Sequence, residues 1–208
     1  MAEAPLVHIV DDDASVRDSL MVLLESAGYA VRAYDSAVAF LQAASDRTAG
    51  CVLTDVQMPE LNGLELQRRM SEQGIRLPVI VMTGHGDVPI AVEAMKAGAA
   101  DFLEKPFGDE QLLTAVSGAV AINRRVRDEA AAVADITKRL ATLTRREREV
   151  LDHLVAGQPN KTIAYDLGSS PRTVEVHRAR VMEKMGARSL PELVRMTIAA
   201  EHAKASGR

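Results

Sequence analysis

Cys51-Val-Leu-Thr-Asp55-Val-Gln-Met-Pro59 is an apolar run that ends on an aspartate and passes at once into a proline turn. A run of strand length bounded by turn residues predicts a buried strand. In open α/β sheets the chemistry lies just beyond the carboxyl ends of the strands, and Asp55 stands at such an end. Taken alone, the same carboxylate could equally cap the next helix, a position that favours Asp. Its meaning depends on what the rest of the chain brings to it.

Outward from that run the pattern repeats. Residues 6–10 are apolar and run directly into Asp11-Asp12-Asp13. Val16, Leu20, Leu23, Leu24 and Ala27 recur at helical spacing and Gly28 closes that helix. A strand over 29–33 follows, then a helix capped by Ser36, the Cys51 run, a helix over 62–71 and a strand over 77–82 that ends at Thr83-Gly84. Asp87 and Pro89 predict the next helix start, since proline is tolerated in a first turn. Gly98 ends that helix, residues 101–104 form a fifth strand stopped by Lys105-Pro106, and a last helix begins near Asp109. Strands alternating with helices predict an α/β doubly wound, five-stranded parallel sheet with right-handed crossovers. All strand ends then share one edge, which gathers Asp11, Asp12, Asp55, Thr83 and Lys105 around one crevice.

Carboxylates crowded at that edge repel and call for a cation, and hard oxygen ligands that leave room for water and a phosphate oxygen suit Mg²⁺. A carboxylate beside such an ion can attack a phosphoryl group. The Lys105 ammonium would neutralise charge on the phosphoryl oxygens and Thr83 would supply a hydroxyl donor. Singly, Lys105 reads as a surface lysine and the acidic triplet as a solvated turn; their coincidence at several strand ends is what favours a site.

Composition sets the frame. The chain has 208 residues, enough for two small domains. Hydrophobic residues make up 47% but aromatics only 3%, with no Trp, so the core must be aliphatic. The single cysteine, Cys51, excludes a disulfide framework and a thiol-rich metal site. The N-terminal Met-Ala-Glu-Ala-Pro lacks a signal core, and no stretch approaches the ~18 apolar residues of a membrane span, so a cytoplasmic protein without membrane attachment is expected. Net charge divides unevenly. Residues 1–141 carry 13 basic against 21 acidic side chains (−8), and residues 142–208 carry 12 against 8 (+4). A basic half of this kind suits an anionic partner such as nucleic acid.

Between the halves, residues 123–141 contain neither Gly nor Pro and are good helix formers. A helical connector, with or without a break, is expected. Val126, Val133 and Leu140 recur every seven residues as a candidate pairing seam, too short to define a coiled coil.

Residues 142–208 contain only helical patterns. Thr144 and Glu147 form a capping box, and a second box is expected from Ser189 and Glu192. A short helix over 161–167 and a turn through Gly168 lead to Ser170-Pro171, an N-cap followed by a first-turn proline. Projected at ~100° per residue, Val174, Val181 and Met185 of the third helix share a face. Arg172, Val176, Ala179 and Glu183 lie opposite, flanked by Glu175 and Arg180. Such a face suits a major groove, where Arg reads guanine, an acid accepts from cytosine and apolar groups meet thymine methyls. A short helix, a tight turn and a longer helix make a helix-turn-helix. His177 projects beside the core face and is expected to be packed or to touch phosphate. Lys161, Thr173, Arg178 and Lys184 complete the candidate DNA contacts, although charge alone does not separate phosphate-binding from ordinary surface residues.

Val10-Asp-Asp12, Thr54-Asp55-Val-Gln-Met-Pro59 with Asn62-Gly63, Thr83 and Lys105-Pro106-Phe107 resemble the receiver domain of two-component response regulators over residues 5–122. That resemblance implies a flavodoxin-like sheet with Asp55 as phospho-acceptor. It also implies Mg²⁺ held by Asp12, Asp55 and the carbonyl of Gln57 with Asp11 acting mainly through water, Thr83 and Phe102 as a switch pair, and a cis Lys105–Pro106 peptide. The family often has Tyr at position 102, so a hydroxyl contact there is lost. Aspartate-nucleophile phosphatases place a second Asp two residues after the nucleophile as acid and base; Gln57 occupies that place and favours storage of the phosphoryl group over turnover.

Residues 143–193, with Leu-Thr-Arg-Arg-Glu-Arg-Glu-Val-Leu, Asn160-Lys-Thr-Ile-Ala and Pro171-Arg-Thr-Val-Glu-Val-His, are similar to the LuxR-type DNA-binding domain. Together the two resemblances point to the NarL/FixJ class of transcriptional regulators. They imply a sensor histidine kinase as partner, dimerisation on phosphorylation, promoter DNA and RNA polymerase contact, with activation as the expected outcome. Gly84-His-Gly-Asp-Val-Pro-Ile-Ala-Val-Glu-Ala-Met-Lys together with Phe102-Leu-Glu-Lys-Pro-Phe looks most like the FixJ type, which suggests an oxygen-responsive, nitrogen-fixation circuit. The expected division is a receiver over 1–122, a linker over 123–141 and a DNA-binding domain over 142–208. The alternatives are an aspartyl-phosphate phosphotransferase or phosphatase, and a phosphorelay adaptor that does not bind DNA.

Overall fold

The computed structural model describes residues 4–45, 48–84 and 88–206. Asp87, expected to open a helix, lies outside them, as do the first three residues. The chain divides into two compact units, Met1–Val126 and Arg127–Arg208, each of which is described by itself.

In the first unit β1 (Leu6–Val10), β2 (Ala30–Tyr34), β3 (Cys51–Asp55), β4 (Val79–Thr83) and β5 (Asp101–Glu104) form a parallel sheet in the order β2-β1-β3-β4-β5. Helices α1 (Ala14–Ser26), α2 (Ala37–Ala43), α3 (Gly63–Glu72), α4 (Val88–Lys96) and α5 (Asp109–Ala141) connect and follow the strands. This is the doubly wound fold that the alternation predicts. Strand order reverses between β1 and β3, and Asp11 and Asp55 end those two strands, at the switch point where ligands bind in such sheets.

Alternation along each strand feeds two cores. Val7, Ile9, Cys51, Leu53, Ile80 and Met82 face α1 and α5, meeting Leu20, Leu24, Leu112 and Val116. Val10, Val52, Val79 and Val81 face the other way, against Phe40, Leu66, Met70 and Ala94. A strand covered on both sides must be apolar throughout, which is why β3 reads as an unbroken run. The edge strands β2 and β5 carry more exposed positions. Cys51 is fully buried, and burial pushes its thiol up to about 12.

Several boundaries differ from the sequence expectation. β4 begins at Val79, not at residue 77, because Pro78 has no N–H to give a ladder; its carbonyl accepts from Val52 N instead. β2 is shifted one residue onward. α5 runs without a break for 33 residues. Asn123 is 6% exposed and accepts from Gly50 N at 3.2 Å, so first-unit contacts extend past residue 122.

The second unit holds α6 (Arg145–Val155), α7 (Asn160–Asp166), α8 (Pro171–Met185) and α9 (Leu190–Ser206) around one aliphatic core. Thr144 and Glu147 make the expected capping box. The second box is incomplete. Ser189 Oγ accepts from Glu192 N, but the Glu192 carboxylate reaches Arg188 N instead of the cap. Leu140 lies inside this core with Ile136 against it, whereas Val126 is 39% exposed. The proposed Val126–Val133–Leu140 seam is therefore not one surface, because its last member is consumed by the helical core. Among the described residues no helix is long and apolar enough to cross a membrane.

Candidate functional site: an acidic strand-end pocket and a helix-turn-helix

The acidic triplet divides its labour. Asp13 is the N-cap of α1 and accepts from Ser15 N at 2.8 Å, and that backbone bond holds its carboxyl below the usual range. Asp11 is 1% exposed. Its Oδ1 accepts from Asp13 N at 2.9 Å, and its main-chain carbonyl accepts from Arg17 Nη1 at 2.7 Å. Asp12 is exposed. Each of Asp11, Asp12 and Asp55 offers a carboxylate oxygen, and the three atoms lie within 4.8 Å of one another.

Lys105 Nζ stands 3.2 Å from Asp11 Oδ2 and 3.2 Å from Asp55 Oδ2. Burial pushes the Asp55 carboxyl up; the Lys105 ammonium and a hydrogen bond from Gln57 N–H oppose that, while Asp11 adds to it. One ammonium among three carboxylates leaves net negative charge in a partly desolvated pocket. An all-oxygen donor set of this kind fits a hard divalent cation.

Thr83 is 2% exposed and donates its hydroxyl to Gly84 O at 3.0 Å, not into the acidic pocket. Phe102 is 42% exposed. The two line one groove of about 490 Å³ with Ala91, Val92, Met95 and Lys96. The Lys105–Pro106 peptide is cis.

Two supports of the pocket escape a reading of strand ends. Arg17 fixes the backbone of Asp11 from α1; its only sequence signal is a basic residue one helical turn beyond an acidic triplet. Gly63 is the other, and a Cβ there would collide with the carbonyl of Asp55. Its N–H donates to Val56 O at 3.1 Å, so the start of α3 is pressed against the end of β3.

In the second unit Ser170 caps α8, Pro171 opens it, and Gly186 ends it in the left-handed conformation. Val174, Val181 and Met185 are buried. Arg172, Thr173, Glu175, Ala179 and Arg180 are exposed on α8, as is Lys161 on the first turn of α7. Val176 is 47% exposed. Arg178 is half-buried and donates to Asn160 Oδ1 at 3.4 Å, tying α8 to the start of α7. His177 is half-buried, with an Nδ1 atom that is shielded and has no hydrogen-bond partner among the described residues.

Lys184 is engaged within the unit. Its ammonium is 2.6 Å from Glu147 Oε2 and 3.1 Å from Thr142 O. A buried carboxylate thus competes with phosphate for this cation, whose side chain is 34% exposed. The wheel projection missed this because it places a residue on a helix face without showing what the neighbouring helix presents to it.

Comparison with known proteins agrees with both halves. Residues 7–117 match the response regulator receiver domain, and residues 141–197 match the bacterial regulatory proteins of the luxR family. The chain is 56% identical over 200 residues to the transcriptional regulatory protein FixJ of Azorhizobium caulinodans, covering 96% of this chain and 95% of that one. It is 55% identical over 197 residues to FixJ of Rhizobium meliloti, covering 93% and 95%. Among solved structures, full-length FixJ from B. japonicum is 49% identical with TM-score 0.60, covering 97% and 99%. The response regulator StyR is 39% identical with TM-score 0.83, covering 94% and 98%.

Proposed function

Since the chain belongs to the FixJ-like response regulators and is a phosphorylation-dependent transcriptional regulator, we propose that Asp55 is its phospho-acceptor and that the exposed face of α8 is its DNA-reading surface. The observation that carries the first claim is the Lys105 ammonium, 3.2 Å from both Asp11 and Asp55 at the switch point of the sheet.

Mg²⁺, held by Asp11, Asp12, Asp55 and the carbonyl of Gln57, would supply countercharge for phosphoryl oxygens. The chain's own residues do the rest. An Asp55 carboxylate oxygen attacks phosphorus of a phosphohistidine on a sensor histidine kinase. The P–N bond breaks and the imidazole leaves with a proton from solvent. Lys105, freed from part of its pairing with Asp55, follows the new phosphoryl oxygens. Thr83 turns its hydroxyl from Gly84 O toward them. Phe102 shares a groove with Thr83, so repacking there changes an exposed apolar surface, which serves homodimerisation. Gln57 offers no acid-base group two residues after the acceptor, which favours storage over hydrolysis.

On the DNA side, Arg172, Thr173, Glu175, Val176, Ala179 and Arg180 meet base edges and backbone, while Lys161 and Arg178 contact phosphate. The receiver comprises the first compact unit, to about residue 126, and the helical connector leads from it into the DNA-binding domain. Contact with RNA polymerase in a cytoplasmic setting, with activation of transcription, completes the reading. Incubation with acetyl phosphate and Mg²⁺ followed by peptide mass mapping tests the acceptor. Label on the peptide containing Asp55, absent in Asp55→Asn, is expected, and label retained in that variant would overturn the assignment.

A further inference from the structure

The last carbonyls of a helix have no partner within it. At the C-terminus of α8 the following turn closes two of them, Gly186 N donating to Glu183 O and Ala187 N to Met182 O, and the carbonyl of Met185 is met from another helix. Arg139, on the last turn of α5, donates from Nη1 to Met185 O at 2.8 Å and from Nε to Asp135 Oδ2 at 2.8 Å. Gly186 turns the chain with φ of 66°, and a Cβ there would collide with Arg139 Nη1. Glycine therefore serves twice, allowing the left-handed turn and leaving room for the guanidinium. Leu140, 7% exposed, shares the core with Met185, and Ile136 packs against it. One turn of α5 is thus wedged under the end of α8 and hydrogen-bonded to it. The luxR-family match starts at residue 141 and leaves that turn out.

We infer that Arg139 is a positioning residue for DNA recognition. Its fork holds the C-terminus of α8 at the angle from which the exposed residues of that helix meet bases, so the functional DNA-binding unit begins upstream of residue 142, near Asp135. A cation at a helix C-terminus is favourable by charge alone, but two donors in a fixed planar fork also set direction, which lysine cannot reproduce. The inference rests on the reading of α8 as the DNA-reading helix.

The test uses the full-length chain after acetyl phosphate treatment. One duplex is selected by the wild type from a random-sequence pool, and a scrambled duplex of equal length is the control; both are titrated over a range of salt. Arg139→Met should lower the ratio of specific to scrambled affinity about tenfold, comparable to one wrong base pair, with the salt slope unchanged. Arg139→Lys should fall between. An unchanged ratio, with or without a drop in melting temperature, overturns the inference. So does a salt slope reduced by about one with the ratio intact, the signature of a direct phosphate contact. If Arg139→Met does not fold, Asp135→Asn, which keeps the cation but frees its fork, carries the same comparison. A wild type that does not discriminate between the duplexes counts against the α8 reading itself; a discriminating wild type with an unaffected Arg139→Met counts against this inference alone.

Discussion

Lys184 Nζ lies 2.6 Å from Oε2 of Glu147, a carboxylate whose side chain is only 3% exposed. The pair joins α8 to α6 beside the helical core. The Lys184 bond, then the Thr144 backbone N–H, bring the Glu147 carboxyl down to about 2 from its ordinary 4.5. A carboxyl with a depressed folded value contributes stability fully above the unfolded value and loses it as pH falls toward the folded one. The second unit should therefore hold its stability above 4.5 and lose it progressively toward about 2. Calorimetry across that window should show the melting temperature sloping down in the wild type and less steeply in Glu147→Gln, where the lowered Glu149 carboxyl still contributes.

The same pair separates structural from DNA-binding cations. Lys184→Met strands a buried carboxylate and should cost about 1–3 kcal/mol, yet leave the salt dependence of DNA affinity unaltered. Lys161→Ala should do the reverse, reducing the slope of log affinity against log salt by about 0.9, as for one phosphate contact. Equal slopes in the Lys161→Ala variant and the wild type would remove Lys161 from the interface.

Metal dependence follows from the carboxylate cluster. Mg²⁺ that binds the folded receiver alone should raise its unfolding free energy by about 2.7 kcal/mol at a hundredfold excess over Kd, and a chelator should reverse the shift. Asp12 is exposed and supports no packing, so Asp12→Asn should fold normally and lose most of the response. An undiminished Mg²⁺ shift in that variant would exclude Asp12 as a ligand.

Gly63 presses on the strand that bears the acceptor. Gly63→Ala must move either α3 or the end of β3, at a cost of about 1–3 kcal/mol as for other overpacking. Labelling of Asp55 by acetyl phosphate should slow beyond what the lost stability explains, which rate measurements well below the melting temperature can separate. A variant with lower stability and a normal labelling rate would show that α3 yields and β3 does not.

The sheet was legible because its central strands are covered on both faces and must be apolar from end to end. Their ends were legible because Asp11, Asp55, Thr83 and Lys105 interrupt those runs at one edge. The helix-turn-helix was marked by caps at Thr144 and Ser170 and by the face on which Val174, Val181 and Met185 recur. What escaped were relations between elements distant in sequence. Arg17 on the Asp11 carbonyl, Gly63 against Asp55, and Lys184 paired with Glu147 follow from tertiary approach and have no period. Leu140 shows the converse failure: a genuine seven-residue spacing whose last member is claimed by a core the spacing does not describe.

Cys51 opens the strand that Asp55 closes, and its buried, protonated thiol is inert while the strand is in place. As the sole thiol of the chain, it is a built-in clock. A thiol reagent in excess can modify it only when β3 or the α1 and α5 layer over it opens, so the modification rate reports openings of the core beside the acceptor strand. Phosphorylation can then be followed as a change in how readily the core beside the acceptor opens, with no label added to the protein.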